Sequence, residues 1–563
     1  MKIVVCALNS QYIHSSLAPW CLRAGIKEYG DSNLQVTVVE GTVNEHMTAV
    51  ADRLIAENPD VLGFCCYIWN ITRVKELLPR IKEVLPNTKI VLGGPEVGYC
   101  ATMVLNENSL VDYVLTGEGE RSFALLCNAI QKKTSPNLPG VSYRVEGRVV
   151  TLPEEPLTEE PPSPYCDEYF SALNGRITYL ETSRGCPYAC AYCLSARCGK
   201  LKFVSIERAK RELLLLANSG TKTVKLVDRT FNAHRKRAKE LWRFIIENYG
   251  TLIPEDVCFH FEIAGDLLDE ESIAIIGSAP AGSMQFEVGI QSFYEPTLAY
   301  IRRKTDLNQL THWVKKLIDL GNVHVHVDLI AGLPLEDFVT FRDSVNQAYQ
   351  LGAQMLQLGF LKLIHGAPMR EDEERYPCEF VAAPPYEVVS TPCLTAEELV
   401  RLHKAEWALD KLYNSGRFRE SLNLVLTVSK QTPFDLLLHF GEWVPQNATA
   451  SLDTVTEWFY AYGQFLGVNK DQLRDKMVCD RLATVNGGKL PSCLQVQDPR
   501  LAKFRKALRN NESTAPTKGI ARGTALLYAS DCGVYVDYAN PHPVTGRYTL
   551  HKLSKEEWED ESV

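Results

Sequence analysis

Within SRGCPYACAYC, Cys186, Cys190 and Cys193 are spaced C-x-x-x-C-x-x-C. Three thiolates on one tight loop can bind three irons of a cubane four-iron, four-sulfur cluster and leave the fourth iron free of any protein ligand, open to a substrate or cofactor. A structural zinc site is the competing chemistry. It needs a fourth ligand to close its tetrahedron, and Cys198 is the nearest candidate. The chain has 17 cysteines, and only this group has ligand-like spacing. Thiols scattered through a chain of this size point away from a disulfide framework.

The cysteine loop follows ITYLETS, the first apolar run of an alternation over residues 176–370. TVKLVD, VCFHFEI, SMQFEVGIQS, VHVHVDLIAG and MLQLGFLKL read as further strands, with helical stretches at 206–218, 233–247, 307–319 and 336–350. Six strand-helix units predict a partial (β/α)6 barrel, in which active groups project from strand ends and the loops that follow. Ahead of it, residues 1–135 alternate five short apolar strands (KIVV, LQVTVVE, VLGFCC, KIVLGG and VDYVLTG) with helices. That pattern predicts a parallel, flavodoxin-like doubly wound α/β domain, whose ligands sit beyond the carboxyl ends of the strands. Residues 136–175 read as a hairpin, VSYRVEGRVV, and a proline-rich acidic linker, PEEPLTEEPPSPY. Residues 371–563 read as a mostly helical carboxyl-terminal domain closing on a β-hairpin, TALLYASDCGVYVDYA.

The cysteine motif, with Tyr192 before its last cysteine, resembles the signature of the radical S-adenosylmethionine (SAM) superfamily. The resemblance implies that the unique iron chelates the amino and carboxylate groups of SAM, that electron transfer breaks the sulfonium bond, and that a 5'-deoxyadenosyl radical forms. It also implies SAM-binding roles for Tyr192, for Asp228 at the end of TVKLVD, for Glu287 in EVGIQS, and for Asp328 and Gly332 in DLIAGLPLE. The last segment also reads as a buried strand ending in a turn set by Gly332 and Pro334. Arg302 and Arg303 suit either a carboxylate partner or an exposed helix end.

No G-x-x-x-x-G-K-S/T is present, and no G-x-G-x-x-G joins the first strand to its helix. KIVLGGPEVGY and VDYVLTGEGERSF instead resemble the cobalamin-binding domains fused to many radical SAM enzymes, and the tandem resemblance covers about residues 1–370. It implies a cobalamin edge formed by Gly93, Gly94, Thr116, Gly117, Glu118 and Gly119, where absent side chains let a planar ligand approach the backbone. Tyr67, Trp69 and Asn70 either pack against the lower corrin face or begin a buried helix. His14 falls near the cobalt-ligating histidine of D-x-H-x-x-G modules. Tyr12 and Leu17 break that motif, so His14 reads as a loop or core histidine.

Together these resemblances imply three cofactors, a [4Fe-4S] cluster, SAM and cobalamin, and methylation of an unactivated carbon. Non-methylating rearrangement or cyclisation, tRNA modification by a radical enzyme, and a noncatalytic cobalamin or iron-sulfur sensor are the alternatives. The formal net charge of -9 counts against nucleic acid as a partner. A small molecule or peptide is the expected substrate, and a flavodoxin or ferredoxin the expected reductant. The start MKIVVCALNS enters a strand directly, and no apolar run approaches the roughly 20 residues that span a bilayer, so the expected location is cytoplasmic. The carboxyl-terminal domain resembles an uncharacterised extension. Its Cys378, Cys393, Cys479, Cys493 and Cys532 form no C-x-x-C pair, and Trp443, Trp458, Phe459 and Tyr460 suit a core or a substrate wall.

Overall fold

The computed structural model describes residues 1–197, 199–445, 450–510 and 523–556. The first sheet is built from β1 (Lys2–Asn9), β2 (Gln35–Thr42), β3 (Val61–Cys65), β4 (Lys89–Gly93), β5 (Tyr113–Leu115), β6 (Val141–Val145) and β7 (Arg148–Thr151). Its order is β2-β1-β3-β4-β5-β6-β7, with the first five strands parallel. β1 is buried along almost its whole length because helices cover both faces, which is why it reads as a continuous apolar run rather than an alternation. Ile26 and Phe123, from helices Ala18–Tyr29 and Gly119–Lys132, pack on one face. Val50, Val74 and Leu77 pack on the other, as the flavodoxin-like order requires.

The hairpin differs from the expectation of a separate connecting piece. β6 pairs antiparallel with β5 and β7 with β6, extending the first sheet to seven strands. β5 has only three residues and would otherwise end the sheet as an open edge, which the hairpin covers. The connection to the barrel is therefore the proline-rich stretch that follows β7.

The barrel holds β8 (Thr178–Leu180), the small antiparallel pair β9 (Ser183–Arg184) and β10 (Lys202–Phe203), then β11 (Thr223–Leu226), β12 (Cys258–Ile263), β13 (Met284–Gln291), β14 (His324–Ala331) and β15 (Met355–Phe360). Six of these form an all-parallel sheet ordered β15-β14-β13-β12-β11-β8. One side of each strand is buried beneath the helices through Phe259, Phe261, Phe286, Val288, Val325 and Val327. The alternate residues of the inner side are polar: Lys225, His260, Glu262, Glu287, His326 and Asp328. Barrel interiors of this type are ordinarily filled by branched apolar side chains, so a charged lining costs stability and marks a binding space.

The first module is bolted to the barrel. Arg176 donates to Glu40 at 2.8 Å, Trp20 donates to the same carboxylate at 3.0 Å, and the Ser15 hydroxyl donates to the Ile177 carbonyl at 2.7 Å. His14 belongs to this seam, with Nδ1 2.7 Å from the Tyr179 hydroxyl and a backbone bridge to Ile177.

Beyond the barrel, β16 (Glu379–Phe380) and β17 (Val388–Ser390) precede a helical region, and β18 (Thr524–Leu527), β19 (Cys532–Asp537) and β20 (Thr549–Ser554) close the chain. The expected terminal hairpin is a three-stranded antiparallel sheet. Phe459 is buried against Phe418 and Phe440 and Trp458 packs on Trp407, so these aromatics serve the helical core. Trp443 remains 41% exposed. Among the described residues, no helix is long and apolar enough to cross a membrane.

Candidate active site

The cluster loop is fixed at its base by Asp228. This carboxylate, at the carboxyl end of β11, accepts from the Thr182 amide at 2.9 Å, the Thr182 hydroxyl at 2.7 Å and the Ser183 hydroxyl. Both oxygens accept from the loop, so Asp228 positions the cysteines from within the protein. Burial pushes its carboxyl above the usual range, and the three donors pull it back. Further along, the Ala191 amide donates to the Ile301 carbonyl at 2.8 Å and the Met369 amide to the Ala191 carbonyl at 2.9 Å, tying the loop to both sides of the barrel mouth.

Each thiol meets a polar neighbour. Cys186 Sγ lies 3.6 Å from the Thr230 hydroxyl, Arg303 Nη1 donates to Cys190 Sγ at 3.9 Å, and the Ser195 amide donates to Cys193 Sγ at 3.4 Å. None of the three is in a disulfide. Three unbridged thiols on one loop, each facing a potential donor, are the ligand set and outer shell that an iron-sulfur cluster uses, and they fit that group. Burial raises the Cys190 thiol and the Arg303 guanidinium opposes the rise, so metal uptake there must displace a proton. Cys198, the alternative zinc ligand, lies outside the described residues.

Arg303 and Arg302 point apart. Arg302 is exposed and takes a left-handed backbone conformation (φ 58°), whereas Arg303 turns inward. Arg303 donates to the Gly289 carbonyl and lies 3.4 Å from the Tyr192 hydroxyl, while its buried Nε has no partner among the described residues. A cation with an unused N–H beside the cysteine loop is suited to an anionic ligand.

Glu287 sits mid-strand on β13. It accepts from His260 Nε2 at 2.8 Å and Lys225 Nζ at 3.2 Å. Burial alone would raise its carboxyl; the His260 hydrogen bond and the Lys225 charge bring it down to about 2. Asp328, directly across from Gly289 in the β13–β14 register, has Oδ1 2.8 Å from His326 Nε2. Glu262 is pushed up to about 7 by burial and by the neighbouring Glu287 charge, against the pull of Lys225. This polar lining has a sequence signature, the alternation H-x-H-x-D in VHVHVDLIAG. It places His324, His326 and Asp328 on one side of a strand. Gly332 is in a left-handed conformation (φ 88°), and a Cβ there would come 2.8 Å from Val388 Cγ1. Its close approach is to β17.

At the carboxyl edge of the first sheet, Trp69 is 48% exposed and stacked on Tyr67 with ring centroids 4.4 Å apart and an interplanar angle of 4°. Asn70 is fully buried beneath them. It donates to the Leu8 and Cys65 carbonyls at 3.1 and 3.0 Å and accepts from the Tyr67 amide at 2.8 Å, fixing the turn between β1 and β3 where the strand order reverses. Tyr12, 63% exposed, and Ile13 lie in the loop after β1. An exposed stacked indole at the topological switch fits a planar macrocycle.

The remaining edge residues are occupied by the chain itself. The Thr116 hydroxyl donates to the Gly98 carbonyl at 2.8 Å, a Cβ at Gly117 would overlap the Glu154 carboxylate, and one at Gly119 would press on Leu22. Gly93 has room, its Cβ position meeting only Leu115 at 3.6 Å. Glu118 reaches the barrel, accepting from Lys202 at 3.1 Å and from the Leu157 amide at 2.6 Å. Gly94 has φ 108°, and a Cβ there would lie 2.5 Å from the Cys66 carbonyl oxygen. Gly94→Ala is accordingly expected to cost about 1–3 kcal/mol from backbone strain alone, with the clash adding to it. The checks are a lower urea midpoint and weakened cobalamin uptake.

Comparisons with known proteins match this architecture segment by segment. A B12 binding domain family matches residues 3–126, the radical SAM superfamily matches residues 180–348, and a protein family of unknown function, DUF4080, matches residues 374–521. The cobalamin-dependent radical SAM methyltransferase TokK of Streptomyces tokunonensis is 27% identical over 355 residues, 58% of this chain and 50% of TokK. The 2-(S-pantetheinyl)-carbapenam-3-carboxylate methyltransferase of Streptantibioticus cattleyicolor is also 27% identical, over 56% of this chain and 48% of its own. The chain thus spans about half the length of these curated relatives. Among solved structures, the cobalamin-dependent SAM radical enzyme OxsB with aqua-cobalamin and SAM bound superposes with a TM-score of 0.58 at 13% identity, over 85% of this chain and 78% of OxsB. The radical SAM methyltransferase TsrM from Kitasatospora setae gives 0.56 at 17% identity, over 66% and 76% of the two chains. These likenesses establish a shared fold. The chain thus joins a B12 binding domain, a radical SAM domain and a carboxyl-terminal region of the DUF4080 type, and its first two domains are those of cobalamin-dependent radical SAM enzymes.

Proposed function

We propose that the protein is a cobalamin-dependent radical SAM methyltransferase acting on an unactivated carbon of a small molecule or peptide held in the barrel. When bound, the cluster with SAM supplies a 5'-deoxyadenosyl radical, and methylcobalamin supplies the methyl group. The observation that carries this reading is a charged seam that ties the cysteine loop to the first module. The cysteine loop and the Glu118 turn of the first module are joined through Arg184 and Lys202. Proximity fixed in advance by such contacts is what a reaction shared between two cofactors requires.

Each residue then has a task. Cys186, Cys190 and Cys193 hold the cluster, and Asp228 holds their loop. Arg303, steadied by the Gly289 carbonyl and Tyr192, offers its unpartnered Nε to the carboxylate of SAM. Tyr67 and Trp69 support the lower corrin face, with Asn70 locking their turn. The polar inner wall binds substrate.

The test is anaerobic reconstitution of the full chain with iron, sulfide and hydroxocobalamin, followed by a low-potential reductant and SAM labelled in its methyl group. The expected results are about four irons per chain, stoichiometric cobalamin, release of 5'-deoxyadenosine, and labelled methylcobalamin by mass spectrometry. A full cluster with no 5'-deoxyadenosine would overturn the radical reading. Release of 5'-deoxyadenosine without labelled methylcobalamin would overturn methyl transfer.

A further inference from the structure

The carboxyl-terminal region holds a cavity of about 440 Å3, a volume within the range of small-molecule sites. Helix Lys470–Thr484, the stretch over residues 490–498, helix Arg500–Asn510 and β18 enclose it. Phe504 and Leu508 of the last helix pack on Leu526 and Tyr535 of the terminal sheet, and this small apolar core holds the helix beside β18. The terminal sheet meets the barrel where Pro543 lies against Gly282, just ahead of β13. That is the amino end of the barrel strands, opposite the cysteine loop. A ligand in this cavity is therefore separate from the cluster and from SAM.

Two arginines line the cavity. Arg474 is only 5% exposed. Its Nε donates to the Leu494 carbonyl at 3.1 Å, and its Nη1 donates to Asp475 at 3.0 Å and to the Leu526 carbonyl at 2.8 Å. Its Nη2 has no hydrogen-bond partner among the described residues, and Tyr528 covers one face of the guanidinium with its ring centroid 4.7 Å away. A guanidinium held this deeply, with one N–H edge open, calls for an acceptor. Arg505 donates through Nε to the Thr524 hydroxyl at 2.9 Å, and among the described residues its two terminal nitrogens meet neither an acceptor nor a carboxylate. Thr524 and Leu526 are alternate residues of β18, so the two guanidiniums are anchored about 7 Å apart along one strand. Both forks can then reach the oxygens of one group.

The surrounding charge agrees. Asp498 is the carboxylate of the cavity wall, and it already accepts from Arg500 at 2.8 Å and from the Tyr528 hydroxyl at 3.2 Å. The helix sequence RLAKFRKALRN carries five lysines and arginines and no acidic residue, within a chain of net charge -9. Such a local excess draws anions to this face.

We propose that Arg474, Arg505 and the Thr524 hydroxyl form a binding site for the phosphate group of a small molecule. Guanidinium forks match phosphate oxygens in pairs, with charge assisting each hydrogen bond. Thr524 accepts from Arg505 and keeps its own hydroxyl proton to donate to a phosphate oxygen. A bare ion would leave most of the cavity empty, so the organic part of the ligand lies against Leu490 and Leu501. The site stands on the carboxyl-terminal region alone and does not depend on methyl transfer.

The test is anaerobic calorimetry on the full reconstituted chain, in buffer free of phosphate and sulfate at fixed ionic strength. Phenyl phosphate is the probe, and phthalate is the carboxylate counterpart with the same ring and charge. One equivalent of phenyl phosphate is expected to bind, more tightly than phthalate. Arg505→Gln should weaken it at least about tenfold, the scale of a lost hydrogen bond to a charged group. Lys506→Gln, an exposed cation of the same helix outside the cavity wall, should change it by less than about twofold. Unchanged iron and cobalamin content shows that the variants fold. Absence of phenyl phosphate binding, or equal weakening by Arg505→Gln and Lys506→Gln, overturns the site. Phthalate binding as tight as that of phenyl phosphate overturns its assignment to phosphate.

Discussion

Replacing Cys190 with alanine is expected to abolish cluster assembly, and with it 5'-deoxyadenosine release, while the first module still takes up cobalamin. Cys190 is the most enclosed of the three thiols, 5% exposed, with Arg303 turned toward its sulfur. Two thiolates cannot hold a cubane that needs three, so iron should fall well below the about four atoms per chain of the intact protein. The substitution also leaves the inward Arg303 guanidinium without its sulfur acceptor, adding an electrostatic penalty that alanine cannot relieve. Cobalamin uptake should survive because Tyr67, Trp69 and Asn70 rest on a separate sheet with its own apolar core. Iron analysis and cobalamin absorbance on one sample separate the two effects. A Cys190→Ala protein that kept a complete cluster would sink the assignment of the cysteine loop.

The parts of this arrangement that sequence could show are those written as periodic patterns. Runs such as KIVVCALN and VLGFC are apolar throughout because both faces of their sheet are covered, and their alternation with helices leads to the flavodoxin-like order. The barrel strands alternate, and that too is legible. Pairings between distant segments are not. Nothing local in VSYRVEGRVV names the short β5 as the edge it covers, and TLHKLS has too little apolar content to announce a third terminal strand.

Site residues divide along the same line. A motif gives the residue type at a strand end, but its partner is set by whatever the rest of the chain brings there. Thus Asp228 faces Thr182 and Ser183, Gly332 makes room for Val388, and Glu287 is engaged by His260 and Lys225. Arg302 and Arg303 are equivalent in sequence, and only the left-handed turn at Arg302 decides which of them reaches the cluster loop.

Arg184→Met should uncouple the two modules, and the loss should deepen as pH rises. Arg184 immediately precedes the Gly185-Cys186 step of the cluster loop. Its guanidinium binds Glu120 of the first module, Glu181 at 2.8 Å and, more distantly, Glu118 at 3.8 Å. The Glu120 side chain is 5% exposed. Removing the cation leaves that carboxylate and Glu181 facing each other without compensation. The cost of breaking such a pair, reduced because Arg184 itself retains some solvent contact, is about 2–4 kcal/mol. The pH dependence follows from Glu181, whose carboxyl burial holds above the usual range even with Arg184 beside it. A carboxyl raised in the folded state favours folding below its unfolded pKa and loses that contribution as pH climbs through the folded one. Without Arg184 the folded value rises further. The gap in unfolding free energy between wild type and Arg184→Met should therefore widen as pH rises out of the ordinary glutamate range and narrow as pH falls back into it. Urea denaturation over a series of pH values from the glutamate range upward measures it, with Arg184→Lys recovering part of the loss. A gap that stayed constant, or widened toward acid, would show that Arg184 contributes packing rather than charge. The fastening of the cysteine loop to the cobalamin module would then have to rest on Lys202 and Glu118 alone.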